Sequence, residues 1–259
     1  MGDRFYYYDL HCHTTDSLCG AGTLKSMVKT AKKRGLDGIA VTDHNKIYQG
    51  PEEVADITII PGVEVSVDND KHHLLVYYPK KHIERDRDFK QTLEEIRAEK
   101  NGYTFWAHPL RDGDCFAEED DAVVSLLDGL ESGNAMNSER ERKMIEEKAE
   151  ELGVLCVAGS DGHTSGQVGM GVVKTKERLT EDNFLKVLSE AEVVVAEEII
   201  SFRRRNKRWR VFMRISKSVF RLKNHRFLKS MFTRIFLRNY LRLNNIFLQR
   251  AKINYKQQG

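Results

Sequence analysis

Two histidines one residue apart open the stretch of this sequence best suited to chemistry. His11 and His13 follow an aromatic run in "YYYDLHCHTTDSLCGAG". Because alternate side chains of a strand leave on the same face, both imidazoles should project together while Leu10 and Cys12 point the other way. Two such imidazoles can share a metal ion, although the same pair is also common as a polar strand end.

More histidines and carboxylates stand where other apolar runs end. They are Asp43, His44, Glu64, His108, Asp161 and His163. In a parallel α/β barrel the strand ends open onto one rim, so these side chains would converge there. Burying such a group of polar side chains is costly unless cations compensate it. Histidine and carboxylate ligands without paired thiolates suit zinc, manganese or iron.

Strands and helices must alternate along the chain to position these residues. Short apolar runs predict strands at 5–10, 37–42, 57–65, 72–78, 103–107, 129–131, 154–160 and 171–175. Helical spacing of apolar residues predicts helices at 24–34, 86–100, 120–127, 138–152 and 180–191. This alternation favours an α/β fold with a mostly parallel sheet, and the number of strands suits a closed or nearly closed barrel.

Charge divides the chain in two. Of 42 Lys and Arg and 39 Asp and Glu, residues 201–259 hold 18 basic and no acidic residues, which leaves a net charge of −15 for residues 1–200. We therefore expect a catalytic domain over residues 1–200 and a separate basic, aromatic-rich tail over residues 201–259.

The four cysteines form no Cys-x-x-Cys pair and are too sparse for a disulfide framework. The start of the chain shows no secretory signal pattern, and no stretch of the sequence approaches the roughly 20 apolar residues that cross a bilayer. The expected location is the cytoplasm, with peripheral attachment to a membrane as an alternative.

Five stretches in order carry a family resemblance. "DLHCHTTDS", "GLDGIAVTDHN", "IIPGVEVS", "WAHPL" and "GSDGH" resemble the successive motifs of the PHP (polymerase and histidinol phosphatase) family. The resemblance covers roughly residues 5–195. It implies a distorted (β/α)7 barrel that holds two or three divalent metal ions and hydrolyses phosphate esters.

The resemblance also implies roles for individual residues. The first ion would be held by His11, His13, Glu64 and Asp161. Glu64 would bridge to a second ion completed by His73 and His108, while His44 and His163 would serve a third. His73 is favoured over His72 because it matches the family's His-Leu-Leu, and Asp161 or His163 would transfer protons.

One motif departs from the family pattern. Members of the family usually carry an Asp or His just after "HTxxS" as a ligand for the third ion, whereas Ser17 is followed here by Leu18 and Cys19. Cys19 could ligate as a thiolate or be a small buried residue, and Asp16 is a less regular candidate.

Four further polar residues are candidates for supporting roles. Arg111 could hold a substrate phosphate through a bidentate contact, and Lys46 has a similar but weaker claim. Asp9 could orient a ligand histidine. Asn134 could contact substrate, but nothing in the sequence distinguishes it from a turn residue.

The basic tail has the pattern of amphipathic helices. Phe232, Phe236 and Tyr240 keep helical spacing, with Arg234, Arg238 and Arg242 on the opposite side. Three uses are open. The apolar face could pack on the barrel or on a second copy of the chain, or lie on an anionic membrane surface, or the arginines could bind nucleic acid.

The expected function is therefore a metal-dependent phosphoesterase acting on a phosphorylated small molecule, a nucleotide or a nucleic acid end. An alternative from another class is a nucleic-acid or membrane-surface binding module on a PHP barrel that has lost catalysis.

Overall fold

Ten strands and five helices make up the part of the chain that the computed structural model describes, which is residues 4–111, 116, 121–196 and 253–255. The strands are β1 (Tyr6–Cys12), β2 (Gly38–Val41), β3 (Glu53–Val54), β4 (Ile57–Val67), β5 (His72–Tyr77), β6 (Tyr103–Trp106), β7 (Gly129–Asn134), β8 (Leu155–Gly159), β9 (Gly171–Thr175) and β10 (Glu192–Val195). The helices are α1 (Leu24–Arg34), α2 (Phe89–Glu99), α3 (Asp121–Val124), α4 (Glu139–Leu152) and α5 (Phe184–Leu188).

The strands form one curled sheet in the order β10-β9-β1-β2-β4-β5-β6-β7-β8, with β3 beside β4. Backbone hydrogen bonds return the chain after β8 to β1. The amide of Gly162 donates to His11 O over 3.1 Å, and the amide of His13 donates to Gly162 O over 2.9 Å. The sheet is thus a nearly closed barrel, and the predicted barrel fold is confirmed.

The prediction of a mostly parallel sheet is wrong, because the sheet is mixed. The pairs β1–β2, β2–β4, β6–β7 and β7–β8 are parallel, whereas β1–β9, β9–β10, β3–β4, β4–β5 and β5–β6 are antiparallel. Between β4 and β5 lie only residues 68–71, and Asp68, Asn69 and Asp70 there all have positive φ. So short a turn can join only antiparallel strands, since a parallel crossover needs a dozen or more residues.

Local signals set the ends of the helices. The hydroxyl of Thr23 accepts from Ser26 N at the start of α1, and Gly35 ends that helix with φ 76°. The helix predicted over 180–191 is shorter than expected. Only Phe184–Leu188 is helical, and the run "EVVV" that follows forms β10, as its β-branched residues favour.

A register shift in β1 turns the two first histidines toward the barrel interior. Asp9 pairs with Ile39 and Cys12 with Val41, so β1 carries one extra residue relative to β2, as in a β-bulge. Tyr8 and Leu10 belong to an interior apolar cluster with Ile60. Ile60 shares a face of β4 with Glu64, four residues later. The shift therefore allows His11 and His13 to lie above an apolar floor to which β1 itself contributes.

The described end of the chain packs on the barrel. Ile253 and Tyr255 lie in the same apolar cluster as Tyr7 and Ala196. The ring of Tyr255 stacks on that of Tyr7 at 5.0 Å, and its hydroxyl donates to Gly169 O over 2.7 Å. The rest of the basic tail lies outside the described residues. No described helix combines the length and apolar character needed to cross a bilayer.

Tyr255→Phe should lower the free energy of unfolding by about 1–3 kcal/mol, because it leaves the buried carbonyl of Gly169 without its donor. Denaturant unfolding followed by tryptophan fluorescence measures the change. Tyr48→Phe is a matched control, since the Tyr48 hydroxyl also donates to a backbone carbonyl, that of Pro51, but at an exposed position. An equal change in both variants would contradict the buried anchor.

Candidate metal centre

The carboxylate of Glu64 lies at the centre of the histidine cluster. Its side chain is 1% exposed, and Oε2 lies 3.1 Å from His13 Nε2, 3.2 Å from His44 Nδ1 and 3.4 Å from His11 Nε2. None of these approaches is a hydrogen bond, so Oε2 has no hydrogen-bond partner in the described structure. A buried carboxylate oxygen that faces three imidazole nitrogens without bonding to any is the arrangement expected of ligands around a cation.

The other oxygen of Glu64 faces two more imidazoles. Oε1 lies 3.0 Å from His73 Nδ1 and 3.1 Å from His108 Nε2. The far nitrogen of His73, Nε2, lies 3.2 Å from Asp70 Oδ1. Such a carboxylate on the outer nitrogen is the usual way in which a protein fixes the orientation of a ligand imidazole.

Asp161 closes the cluster from the side of β8. Its Oδ1 lies 3.3 Å from His13 Nε2, 3.6 Å from His11 Nε2 and 3.5 Å from His163 Nδ1. Arg111 donates to Oδ2 of the same carboxylate and also to Asn134 Oδ1. Asn134 in turn donates to Glu131, so it is part of the site and not a solvated turn residue.

The mixed sheet explains how these residues meet. His44 and Asp161 follow β2 and β8 as expected, but Glu64 lies inside β4 and His73 lies at the start of β5. Because β5 runs antiparallel to β4, its beginning reaches the rim that its end would reach in a parallel barrel. His72, one residue earlier, faces away and packs on Trp106 and Phe89, so the structure brings His73 to the cluster.

Two residues of the cluster have unusual backbone conformations. His108 has φ 34° and Asp161 has φ 49°, both in the left-handed region that residues other than glycine seldom adopt. Backbone of this kind persists only where its surroundings hold it, and it concentrates at functional sites.

Carboxylates behind the cluster hold its backbone in place. Asp9 was expected to orient an imidazole, but it accepts from the backbone amides of His11, Ser160 and Gly169. Asp43 accepts from the hydroxyl and amide of Thr14 and from the amide of Ser17. These bonds position the chain segments that carry the histidines.

Glu131 is the site residue that the sequence analysis missed. It is fully buried in β7, and its Oε1 lies 2.9 Å from His11 Nδ1. Its Oε2 accepts from the amide of His108 over 2.9 Å. The available signal was a lone carboxylate within the short apolar strand "GLES", since a buried acid needs a partner.

The histidines fall into two groups, those whose pKa is lowered and those whose pKa is raised. Burial lowers the pKa of His44 to about 3, and burial with the charge of His13 lowers that of His163 to about 4. Both are therefore neutral near pH 7, which is the form that binds a metal. Burial would also lower the pKa of His73, but the charge of Glu64 and the hydrogen bond that His73 donates to Asp70 raise it to about 10. A metal ion bound at His73 would therefore displace a proton.

Burial opposes ionisation of the two central carboxylates, but their neighbours outweigh it. The imidazoles of His44, His73 and His11 hold the pKa of Glu64 well below its ordinary value. Arg111 and His11 do the same for Asp161. The cluster thus keeps anionic oxygens in a buried place, as cation binding requires.

The side chains fit divalent ions in three overlapping sets. The ligand atoms within each set lie within 4.8 Å of one another, and the sets are His11, His13 and Asp161; His44, Glu64 and His73; and His13, Cys19, His44 and His163. His108 belongs to the same cluster through its contact with Glu64. Asp16 is in none of the sets, because its exposed carboxylate pairs with Lys46 Nζ at 2.6 Å.

Comparison with known proteins agrees with this geometry. The model of the PHP domain family matches residues 9–201. The chain belongs to the PHP domain family. A probable phosphatase of Thermoanaerobacter sp. (strain X514) is 26% identical over 202 residues, covering 62% of this chain and 80% of the relative. An uncharacterized protein of Methanocaldococcus jannaschii is 29% identical over 143 residues, covering 49% of this chain and 81% of the relative.

Solved structures share the PHP fold at low identity. PsfC from Pseudomonas syringae PB-5123 superposes with a TM-score of 0.61 at 16% identity, covering 76% of this chain and 93% of PsfC. A two-domain protein from Bacteroides vulgatus with a PHP-like part gives 0.55 at 17% identity, covering 75% and 66%. Endonuclease Q of Pyrococcus furiosus gives 0.54 at 16% identity, covering 73% and 58%.

Family and site together make this protein a PHP-type metal-dependent phosphoesterase. The predicted family and enzyme class are confirmed.

Glu131→Gln should reduce metal affinity about 10–100-fold, because it removes the charge that holds the outer nitrogen of His11. Competition with a chelating dye measures the affinity, and circular dichroism checks the fold. Glu192→Gln is the control, since Glu192 pairs with Lys174 on the surface. Unchanged affinity in Glu131→Gln would show that Glu131 has no influence on metal binding.

Proposed function

We propose that this cluster hydrolyses phosphate esters with two or three divalent ions, taken from zinc, manganese and iron. The first ion is assigned to His11, His13, Glu64 and Asp161, the second to Glu64, His73 and His108, and the third to Cys19, His44 and His163. The observation that carries the proposal is the Glu64 carboxylate, which five imidazoles approach within 3.4 Å while Oε2 lacks a hydrogen bond.

Such ions, when bound, neutralise phosphate oxygens and lower the pKa of water. The chain's own residues supply the rest. His163 Nδ1 lies 2.8 Å from the backbone oxygen of Asp161, which places the proton on Nδ1 and leaves the lone pair on Nε2. With its pKa near 4, Nε2 can bind an ion or accept a proton at neutral pH.

Arg111 is proposed to contact the substrate phosphate. Its side chain is 26% exposed at the rim, and it donates to Asp161 and Asn134. A guanidinium has five N–H donors in a planar fork, so one arginine can hold a carboxylate and a phosphate together. The contact with Asn134 fixes the direction of the fork.

The opening of the site lies on the side of His44, His73, His163 and Arg111. Their side chains are 29%, 20%, 19% and 26% exposed, whereas those of His11 and His13 are fully buried. A phosphate entering here meets imidazole and guanidinium groups first and the carboxylates of Glu64 and Asp161 behind them. The positive charges of His73 and Arg111 at this opening suit an anionic substrate despite the net −15 of residues 1–200.

Within this class we propose a nucleotide or a nucleic acid end as the substrate. The basic tail carries 18 cationic and no acidic residues, and Ile253 and Tyr255 hold its far end against the barrel. The chain is therefore held to the catalytic body just before the tail, at Ala196, and within it, at Ile253 and Tyr255. A polyanion bound there would be held near the same molecule's active site, as short linkage raises local concentration.

Glu64→Gln should remove metal and lower phosphate release by on the order of 100-fold or more, because the neutral amide keeps the shape but loses the central charge. Elemental analysis measures the metal, and a phosphate-release assay measures turnover. Glu84→Gln is the control, since Glu84 is an exposed residue paired with His82.

Two results would contradict the proposal. Full metal content in Glu64→Gln would exclude Glu64 as a ligand, and undiminished turnover in metal-depleted protein would exclude a metal-dependent reaction at this site.

The substrate proposal has a separate test in the triple variant Arg234→Gln, Arg238→Gln, Arg242→Gln. With a phosphorylated single-stranded oligonucleotide, the slope of log KM against log salt should weaken by about two, since each phosphate contact contributes about 0.7. KM for a small sugar phosphate should not change. The control is Lys25→Gln, Lys29→Gln, Lys33→Gln, which removes three exposed charges at the same spacing from α1. Equal slopes in all three proteins would exclude the tail as a nucleic acid contact.

A further inference from the structure

The loop of residues 14–22 folds tightly over the metal centre. The hydroxyl of Thr14 donates to Asp43 Oδ2 over 2.6 Å, and the amide of Ala21 donates to His163 O over 2.7 Å. A Cβ at Gly20 would lie 1.7 Å from Thr14 O, so only glycine allows this closure. The loop is thus held to both sides of the site by bonds that do not involve its tip.

This closure directs Cys19 inward. Leu18 is 57% exposed, whereas Cys19 is half-buried and its Sγ lies within 4.8 Å of ligand nitrogens of His13, His44 and His163. The carboxylate that could have taken its place, Asp16, pairs with Lys46 at the surface. Within the described residues, Cys19 is the one member of this set that is not a histidine.

An independent observation points to a cation beside this set. Glu64 Oε2 is buried without a hydrogen bond, and it lies 3.1 Å from His13 Nε2 and 3.2 Å from His44 Nδ1. Two of the three histidines around Cys19 therefore also face an unpartnered carboxylate oxygen. The sulfur is placed at a cation site and not in an ordinary apolar pocket.

Sulfur changes which ion this position prefers. Thiolate with imidazole is a zinc ligand set, whereas carboxylate-rich positions accept manganese or iron readily. We propose that Cys19, with His44 and His163, forms a sulfur-ligated position that selects zinc, beside oxygen- and nitrogen-ligated positions around Glu64 and Asp161. This inference rests on the proposed metal centre and assigns its positions to different classes of ion.

Cobalt(II) tests separately whether the cluster binds metal and whether Cys19 is one of the ligands. Metal-depleted protein reconstituted with Co²⁺ should show visible absorption from bound cobalt and a near-ultraviolet band from sulfur-to-cobalt charge transfer. Cys19→Ser should lose the near-ultraviolet band and keep visible absorption. The control is Cys156→Ser, which removes a half-buried thiol on β8 and should keep both.

Metal selection gives a second readout. After dialysis against equal zinc and manganese, Cys19→Ser should lose about one zinc ion per chain, and Cys19→Asp should regain an ion as manganese. A near-ultraviolet band that survives in Cys19→Ser, or unchanged zinc in that variant, would overturn the assignment of Cys19. Absence of any bound cobalt in the unaltered protein would instead refute the metal centre itself.

Discussion

The metal centre depends on the compensation of one buried charge, the carboxylate of Glu64. A charge taken out of water is tolerated only if partners compensate it, and here five imidazoles approach its two oxygens. The compensation extends outward, because Asp70 contacts His73 and Glu131 contacts His11. The site is therefore an alternation of acid and base, in which removal of one member leaves its neighbour with an uncompensated charge.

The barrel supplies the rigidity that this arrangement needs. The extra residue in β1 turns His11 inward, and left-handed backbone at His108 and Asp161 carries those residues into the same space. Both features cost free energy, and each is held by surrounding bonds. Glu131 holds the amide of His108, and the backbone bonds between His13 and Gly162 hold the chain beside Asp161.

Convergence of the residues at the ends of apolar runs could be predicted because parallel strands bring their carboxyl ends to one rim, and the family resemblance assigned most of the cluster. The direction of β5 was missed because apolar periodicity is the same for parallel and antiparallel strands. Glu131 was missed because a lone acid in a strand has no spacing pattern. Spacing also left Cys19 and Asp16 open, since only the folded loop shows that Asp16 meets Lys46 at the surface.

The contact between Tyr255 and Tyr7 fixes residue 255 beside the place where the described chain leaves the barrel. Ala196 donates to Met170 O, and Tyr255 donates to the neighbouring carbonyl of Gly169, so the chain leaves and rejoins the barrel at consecutive residues. The described residues on either side of 197–252 are thus bonded to neighbouring carbonyls just before β9. The entropy of closing a flexible loop grows only with the logarithm of its length, about 0.6 kcal/mol for each doubling. Because Ala196 and Tyr255 already lie at neighbouring residues of the barrel, a change in the length of the sequence between them would change the closure entropy of the chain only slightly.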